Sequence, residues 1–325
     1  MDLIAVIIVN WNGKKFIEEC LNGLDKQTCS NFSIILVDNG SEDGSLELVQ
    51  ENCPQVQIIG LTKNLGFAAA NNIAIKSTHT EYVALLNPDT VPEPGWLENL
   101  LKALEKYPEA GMAASKMLLY DHPDMIDRAG DVYTTAGTAL LCGRGQSADR
   151  YVSQKPVFGA CAGAALYRRR MLDDIGLFDE DFFLLYEDVD LSFRAQLRGY
   201  RCLYVPDAVV YHKASSSIGD DTPVSVYYSH RNLEWVYIQN MPASLIKKSL
   251  ISHIVYDVAA FFFFVGKGRG SDFIKAKWHA LKGLKRALQK RRRIQSGKRV
   301  ADDYIWNLFE KERFWQRLTR RILKV

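Results

Sequence analysis

Residues 3–13, LIAVIIVNWNG, run through seven apolar positions and stop at a polar one, Asn10. A run of that length, rich in Ile and Val, reads as a strand. Its lack of polar alternation predicts a strand covered on both faces. Asp2 and the absence of a basic flank set it apart from a signal peptide. Helical spacing follows at Phe16, Cys20, Leu21 and Leu24, and then FSIILVDNGSEDGS supplies a second buried strand ending in Asp38. Ser41 to Gly44 turn the chain into a helix, SLELVQEN. VQIIGL is a third strand, GFAAANNIAIKS a helix opening at Gly66, and EYVALLNPD a fourth strand. Strands alternating with helices predict an α/β fold with a mostly parallel sheet. Such sheets bind ligands beyond the carboxyl ends of their strands, which here carry Asn10, Asp38, Asn64 and Asp89.

Further on the pattern loosens. A helix, GWLENLLKALEKY, leads into a less regular zone of short strands and turns reaching about residue 157. FGACAGAALYRRRML is built of small residues, which permits close backbone approach. RCLYVPDAVVYHKASSS reads as a strand ending in His212. From about residue 225 the pattern is helical and amphipathic.

The bulk numbers bound the reading. The chain has 325 residues, 47% hydrophobic and 24% charged, enough for one large domain with an appendage. Its six cysteines form no CxxC pair, which argues against a zinc site and a disulfide framework and fits a reducing compartment. The net charge of +3 is uneven: residues 266–325 hold 19 Lys+Arg against 5 Asp+Glu, and the first 265 hold 22 against 33. An acidic body with a basic tail predicts that the tail meets something anionic. The most apolar stretch, SLISHIVYDVAAFFFFVGKGRG, has an uninterrupted core of only Val258 to Val265, short of the roughly 20 residues of a membrane span. It reads either as a buried core helix or as a helix lying in a membrane interface, backed by KRRRIQSGKR.

Three clusters carry chemistry. In NPDT, residues 87–90, Asp89 follows a strand end and can offer its carboxylate to a hard divalent cation. His212 ends a strand, and if it meets Asp89, the pair suits Mn²⁺ better than Mg²⁺. In LLYEDVDL, residues 184–191, Glu187 and Asp188 stand beside an aromatic-rich stretch. The acids of that turn suit a helix N-terminus, which accounts for Asp190. A carboxylate among apolar groups also gains a raised pKa and the capacity to act as a general base. NLGFAAANN looks like a phosphate-binding helix start, yet it lacks GxGxxG and a P-loop lysine, against dinucleotide or ATP binding.

In order, VIIVNWNG, ILVDNGSEDGS, NLGFAAANN, LLNPDT, GACAGAALYRR, FDEDFFLLYEDVDLSFRAQLRGY and VYH resemble the family 2 glycosyltransferases of GT-A fold, over roughly residues 3–240. The NPD and YEDVDL forms and the basic tail are most similar to rhamnosyltransferase-type members of bacterial cell-surface polysaccharide synthesis. The resemblance implies a GT-A domain over residues 1–240, followed at 241–325 by a basic amphipathic helical extension. It implies that Asp38 contacts the nucleotide base with Val9 and Asn10 lining the same site. It places Asn64, Gly66 and Asn71 near the ribose and diphosphate. The family's usual Asp-x-Asp appears here as Asn87-Pro-Asp89, so Asp89 and His212 would hold Mn²⁺ or Mg²⁺. Asp188 would be the catalytic base, with Glu187 the other claimant, and Arg231 would approach the diphosphate.

The implied activity is inverting transfer of a sugar, with rhamnose favoured, from a nucleoside diphosphate to a saccharide or lipid-linked saccharide. The enzyme would sit peripherally on the cytoplasmic membrane face, its tail on anionic lipid. Rival readings are a UDP-sugar hexosyltransferase, a nucleotidylyltransferase, for which NWNGKKF is a poor loop, and a non-catalytic nucleotide-sugar-binding partner. The acidic body and the lack of a recognised module argue against nucleic-acid binding.

Overall fold

The computed structural model describes residues 2–213 and 221–311. The chain divides into two compact units: residues 1–131, 141–195 and 200–216 form the first, and residues 132–140, 196–199 and 217–325 the second.

The first unit begins as expected: β1 (Ile4–Asn10), α1 (Lys14–Asp25), β2 (Phe32–Asp38), α2 (Ser45–Asn52), β3 (Val56–Gly60), α3 (Phe67–Ser77) and β4 (Tyr82–Leu86). β5 (Thr90–Pro92), α4 (Trp96–Lys106), β6 (Ala110–Leu119) and β7 (His122–Arg128) follow. β8 (Asp131–Tyr133) and β9 (Ala139–Leu141) form a small ribbon counted mostly in the second unit. β10 (Lys155–Val157), β11 (Ala164–Arg168), α5 (Arg169–Ile175), α6 (Glu187–Arg198) and β12 (Arg201–His212) complete the first unit, the last turn of α6 being counted in the second.

Among the described residues ten strands make one sheet, in the order β10-β12-β6-β11-β4-β1-β2-β3, with β5 on β12 and β7 on β6. β3, β2, β1 and β4 run parallel, and Asn10 lies in register with Asp38. The unbroken apolar run of β1 has a direct reason. Ile4, Val6 and Ile8 point into one core, and Ala5 and Ile7 into the other. β2 and β4 divide their side chains the same way, so the sheet is covered by helices on both faces.

The loose zone between α4 and residue 157 contains more sheet than its sequence suggests. β6 is ten residues long, AGMAASKMLL, and lies between β11 and β12. Ala and Gly are poor strand formers, so pairing on both sides, rather than propensity, makes this segment a strand. The small-residue stretch becomes β11, antiparallel to both β4 and β6.

The second unit holds α7 (Pro223–Asn240), α8 (Ala243–Gly266), α9 (Gly270–Lys282), α10 (Leu284–Ser296) and α11 (Asp302–Leu308). The expected boundary at 240 falls between α7 and α8, whereas α7 packs on α9 and α10. Thr222 caps α7 by accepting from the Ser225 amide, with Pro223 in its first turn. At the other end Arg291 donates to the carbonyls of Ile238 and Met241, both at 2.6 Å, and Gln295 to that of Asn240. Part of the basic run therefore closes a helix C-terminus. The end of the tail, residues 312–325, lies outside the described residues.

Gly66 ties α3 to the segment before α6. Its φ is +87°, and a Cβ there would lie 2.5 Å from the Phe183 ring and 2.6 Å from the Phe183 carbonyl oxygen. Gly66→Ala is expected to destabilise the fold by about 1–3 kcal/mol in denaturant unfolding, through strain at positive φ and displacement of Phe183.

Candidate active site

The site starts at the ends of β1 and β2. Asn10 is fully buried, and its amide nitrogen donates to Asp38 Oδ1 (3.1 Å), Ser41 Oγ (3.1 Å) and Ser45 Oγ (2.8 Å). The Ser41 amide donates to Asp38 Oδ2 at 3.0 Å. Two of the roughly four lone-pair sites of the Asp38 carboxylate are thus engaged, leaving acceptor capacity for a ligand. Asn10 itself supports Asp38 rather than lining an open surface, and Asn71 is likewise buried, donating to the Phe67 carbonyl of its own helix. Val9 and Asn64 are partly exposed. Asn64 Oδ1 accepts from the Gly66 amide (2.8 Å) and from the side chain of Asn39 (3.0 Å), which fixes the loop that opens α3.

The end of β4 carries Asn87, Pro88 and Asp89. The Asn87 amide donates to the Gly163 carbonyl at 2.8 Å, and its carbonyl accepts from Thr90 Oγ1. Asp89 Oδ2 lies 3.4 Å from His212 Nε2. The other ring nitrogen, Nδ1, meets Asp127 Oδ2 at 2.9 Å, and Arg144 pairs with Asp127. Burial opposes the charged imidazole, but hydrogen bonds to Asp127 and Asp89 outweigh it and push the His212 pKa up to about 9. A carboxylate that grips Nδ1 and leaves Nε2 facing an aspartate is a donor set suited to a divalent cation.

The third part is the acidic first turn of α6. Asp188 accepts from the Ala162 amide (3.3 Å) and the Val189 amide (2.8 Å), and its side chain keeps 13% exposure. Arg128, at the end of β7, lies 3.8 Å from Asp188 and 3.4 Å from Asp131. Glu187 is buried, and its Oε2 has no partner among the described residues. Burial, then the Asp188 charge, raises its pKa to about 8. Burial likewise raises Asp131 to about 7, with Arg128 opposing. Asp190, expected to serve the helix dipole, is instead buried in an ion pair with Arg194 at 2.8 Å. The run entering α6 is strained: Phe183, Leu185 and Tyr186 have φ of 65°, 65° and 71°.

Neighbouring contacts join the three parts. Asn39, next to Asp38, reaches Asn64. Gly66 meets Phe183, ahead of Asp188. Ala162 holds Asp188 while Gly163 holds Asn87, two residues from Asp89. Asp38, Asn64, Gly66, Asp89 and Asp188 are thus linked through neighbouring residues near the carboxyl ends of β1, β2 and β4.

A family model for glycosyl transferase family 2 matches residues 5–176, more than half of the chain. The chain belongs to glycosyl transferase family 2. It is 28% identical over 267 residues to an N-acetylglucosaminyl-diphospho-decaprenol L-rhamnosyltransferase of Mycobacterium tuberculosis, covering 73% of this chain and 84% of the relative. Among solved structures it is similar to the Pyrobaculum calidifontis mannosyltransferase PcManGT in complex with GDP-Man and Mn²⁺, with TM-score 0.55, 16% identity and coverage of 94% and 87%. It is also similar to GalNAc-T7 with UDP, GalNAc and Mn²⁺, with TM-score 0.59, 15% identity and coverage of 74% of this chain and 48% of that one. These likenesses show the GT-A fold.

Several residues that organise this candidate site carry no motif signal. Asn72, one position beyond the expected Asn71, grips the segment before α6 through the Phe178 amide (3.0 Å), the Phe178 carbonyl (2.8 Å) and Glu180 (2.9 Å). Arg128 and Asp127 come from β7, inside the loose zone, where nothing local marks them. Arg231, set near the diphosphate by the resemblance, lies in the second unit, its guanidinium 4.4 Å from the Trp235 ring centre. The second unit also groups Glu234, His253 and Asp257, but Lys277 pairs with both carboxylates and already supplies the cation.

Glu187 binds its proton more tightly folded, with a pKa of about 8, than at its ordinary value of 4.5. The native state holds the extra proton between those values, so stability falls as pH rises through that window and levels off above it. Glu187→Gln removes this slope. In thermal unfolding, the Tm of wild type is expected to fall relative to that of the variant between about pH 5 and pH 8; parallel profiles would contradict the assignment.

Proposed function

We propose that the protein is an inverting, divalent-cation-dependent glycosyltransferase. It moves a sugar, with rhamnose the favoured donor, from a nucleoside diphosphate to a hydroxyl of a lipid-linked saccharide at the cytoplasmic face of a membrane, in cell-surface polysaccharide synthesis. The observation that carries the mechanism is the contrast between two adjacent acids. Asp188 is partly open and accepts two amide hydrogen bonds, while Glu187 is shut in beside it and favours its proton. The sugar donor class rests on family membership and on the rhamnosyltransferase named above; a lipid-borne acceptor follows from that relative's name.

In this reading Asp38 receives the nucleotide base, and Val9, Asn64 and Gly66 border the ribose and diphosphate. Asn10 and Asn71 hold that wall from behind. Asp89 and His212 fit a divalent cation, with Asn87 beside them; one carboxylate with one imidazole favours Mn²⁺ over Mg²⁺. Such an ion offsets the negative charge of a departing nucleoside diphosphate. Asp188 removes the proton of the acceptor hydroxyl as its oxygen bonds the anomeric carbon. The bond to the diphosphate oxygen breaks on the opposite face, and configuration inverts. Arg128 holds Asp188 in place.

Asp188→Asn is expected to lower turnover by about 10²- to 10⁴-fold while donor binding, read by thermal stabilisation, persists. Turnover near wild type would move the base elsewhere. A screen of dTDP-rhamnose against UDP- and GDP-sugars for metal-dependent hydrolysis tests the donor. Asp127→Asn is expected to weaken Mn²⁺ binding about 10- to 100-fold in a direct titration, because His212 loses the partner that orients its ring.

A further inference from the structure

α8 is apolar on two opposite faces, and only one is covered. Its inward face carries Leu245, Ser249, His253, Ala260 and Phe264, all buried. That face is also a polar network. Ser249 meets the Tyr237 hydroxyl at 2.8 Å, His253 meets the Ala136 carbonyl at 2.8 Å and Glu234 at 3.2 Å, and Asp257 pairs with Lys277 at 2.6 Å. The outward face carries Ile251, Ile254, Val258, Phe262 and Val265, spaced by three, four, four and three residues. That spacing keeps them on one side of a helix over about 21 Å. Ile251 is 78% exposed and Phe262 66%. α9 adds a second exposed apolar row, Ile274, Trp278 and Leu281, with Trp278 57% and Leu281 62% exposed.

We propose that the outward stripe of α8, with the Trp278 row of α9, is a membrane-docking surface that lies in the interface of an anionic bilayer. It rests on the reading above that the acceptor is lipid-borne, and it moves the contact from the basic tail to a named helix face. An exposed apolar row of this length along one helix face marks an interaction site. Charge selects the partner. Exposed Lys247 and Lys248 stand at the start of the stripe, and exposed Lys275 and Lys282 flank Trp278. Lysines around an apolar face suit acidic headgroups, with their stems lying along the apolar boundary. α8 is long and apolar enough to cross a membrane. Spanning would nevertheless strip Ser249, His253 and Asp257 of their partners, so the helix lies along the surface instead.

The test is sedimentation of the full chain with phosphatidylcholine vesicles, with and without phosphatidylglycerol. Wild type should pellet with the anionic vesicles and be released by high salt. Ile251→Glu/Phe262→Glu should reduce pelleting by at least about tenfold, while donor hydrolysis and the far-ultraviolet circular dichroism stay as in wild type. Brominated lipid should quench a component of the tryptophan fluorescence that Trp278→Phe removes, a readout that needs no destabilising variant. Three results would overturn the proposal: wild type that does not pellet, binding unchanged in the double variant, or a solution dimer that the double variant converts to monomer. Pelleting without any donor hydrolysis would uphold the surface and instead sink the transferase reading.

Discussion

One half-buried guanidinium sets the electrostatics around the candidate base. Arg128 faces Asp131 and Asp188, with Glu187 beside them, so a single positive charge stands among three acids. It cannot offset three carboxylates in a desolvated setting, and protons make up the difference. Asp131 and Glu187, the two enclosed acids, are pushed up to about 7 and 8. The two backbone amides serve Asp188, the acid that also keeps an opening to solvent. Separating neighbouring acids by their surroundings in this way is how a fold gives adjacent carboxylates different work.

The same economy of parts recurs around the site. The candidate donor-side and metal-side groups lie on different elements, and each is steadied by a neighbouring side chain. Asn10 holds Asp38, Asn39 holds Asn64, Asn72 holds the loop before α6, and Asp127 holds His212. Two of the residues expected to touch ligand, Asn10 and Asn71, therefore turn out to lie one layer further in. Rigid support of this kind keeps catalytic groups in place without reorganisation during reaction.

The second unit is organised differently. Its polar groups are turned inward and paired, and its apolar surface is turned out on α8 and α9. The outward apolar rows of this unit are the surface proposed above to meet a membrane. Arg291, from the run expected to meet lipid, instead closes the C-terminus of α7, while exposed lysines border the apolar rows.

Runs such as IAVIIVN and FSIILVD could be read directly, because a strand buried on both faces must be apolar at every position, and the polar residue that ends it then marks the ligand side. Asp38, Asp89 and His212 became candidates for that reason, Glu187 and Asp188 because acids crowd beside aromatics there, and the ordered motifs named the family. The middle of the sheet was not, because β6 and β11 are built of Ala and Gly and become strands through the neighbours that pair with them. Nor could the sequence say which of Glu187 and Asp188 is exposed, since adjacent residues in a helix face different surroundings. Arg128 and Asp127 lie some 60 and 85 residues from the acid and the histidine they serve. Chain-local chemistry fixes what a strand end offers; burial and long-range pairing, which exist only once the chain has folded, decide which group is charged, which is held, and which is open to a ligand.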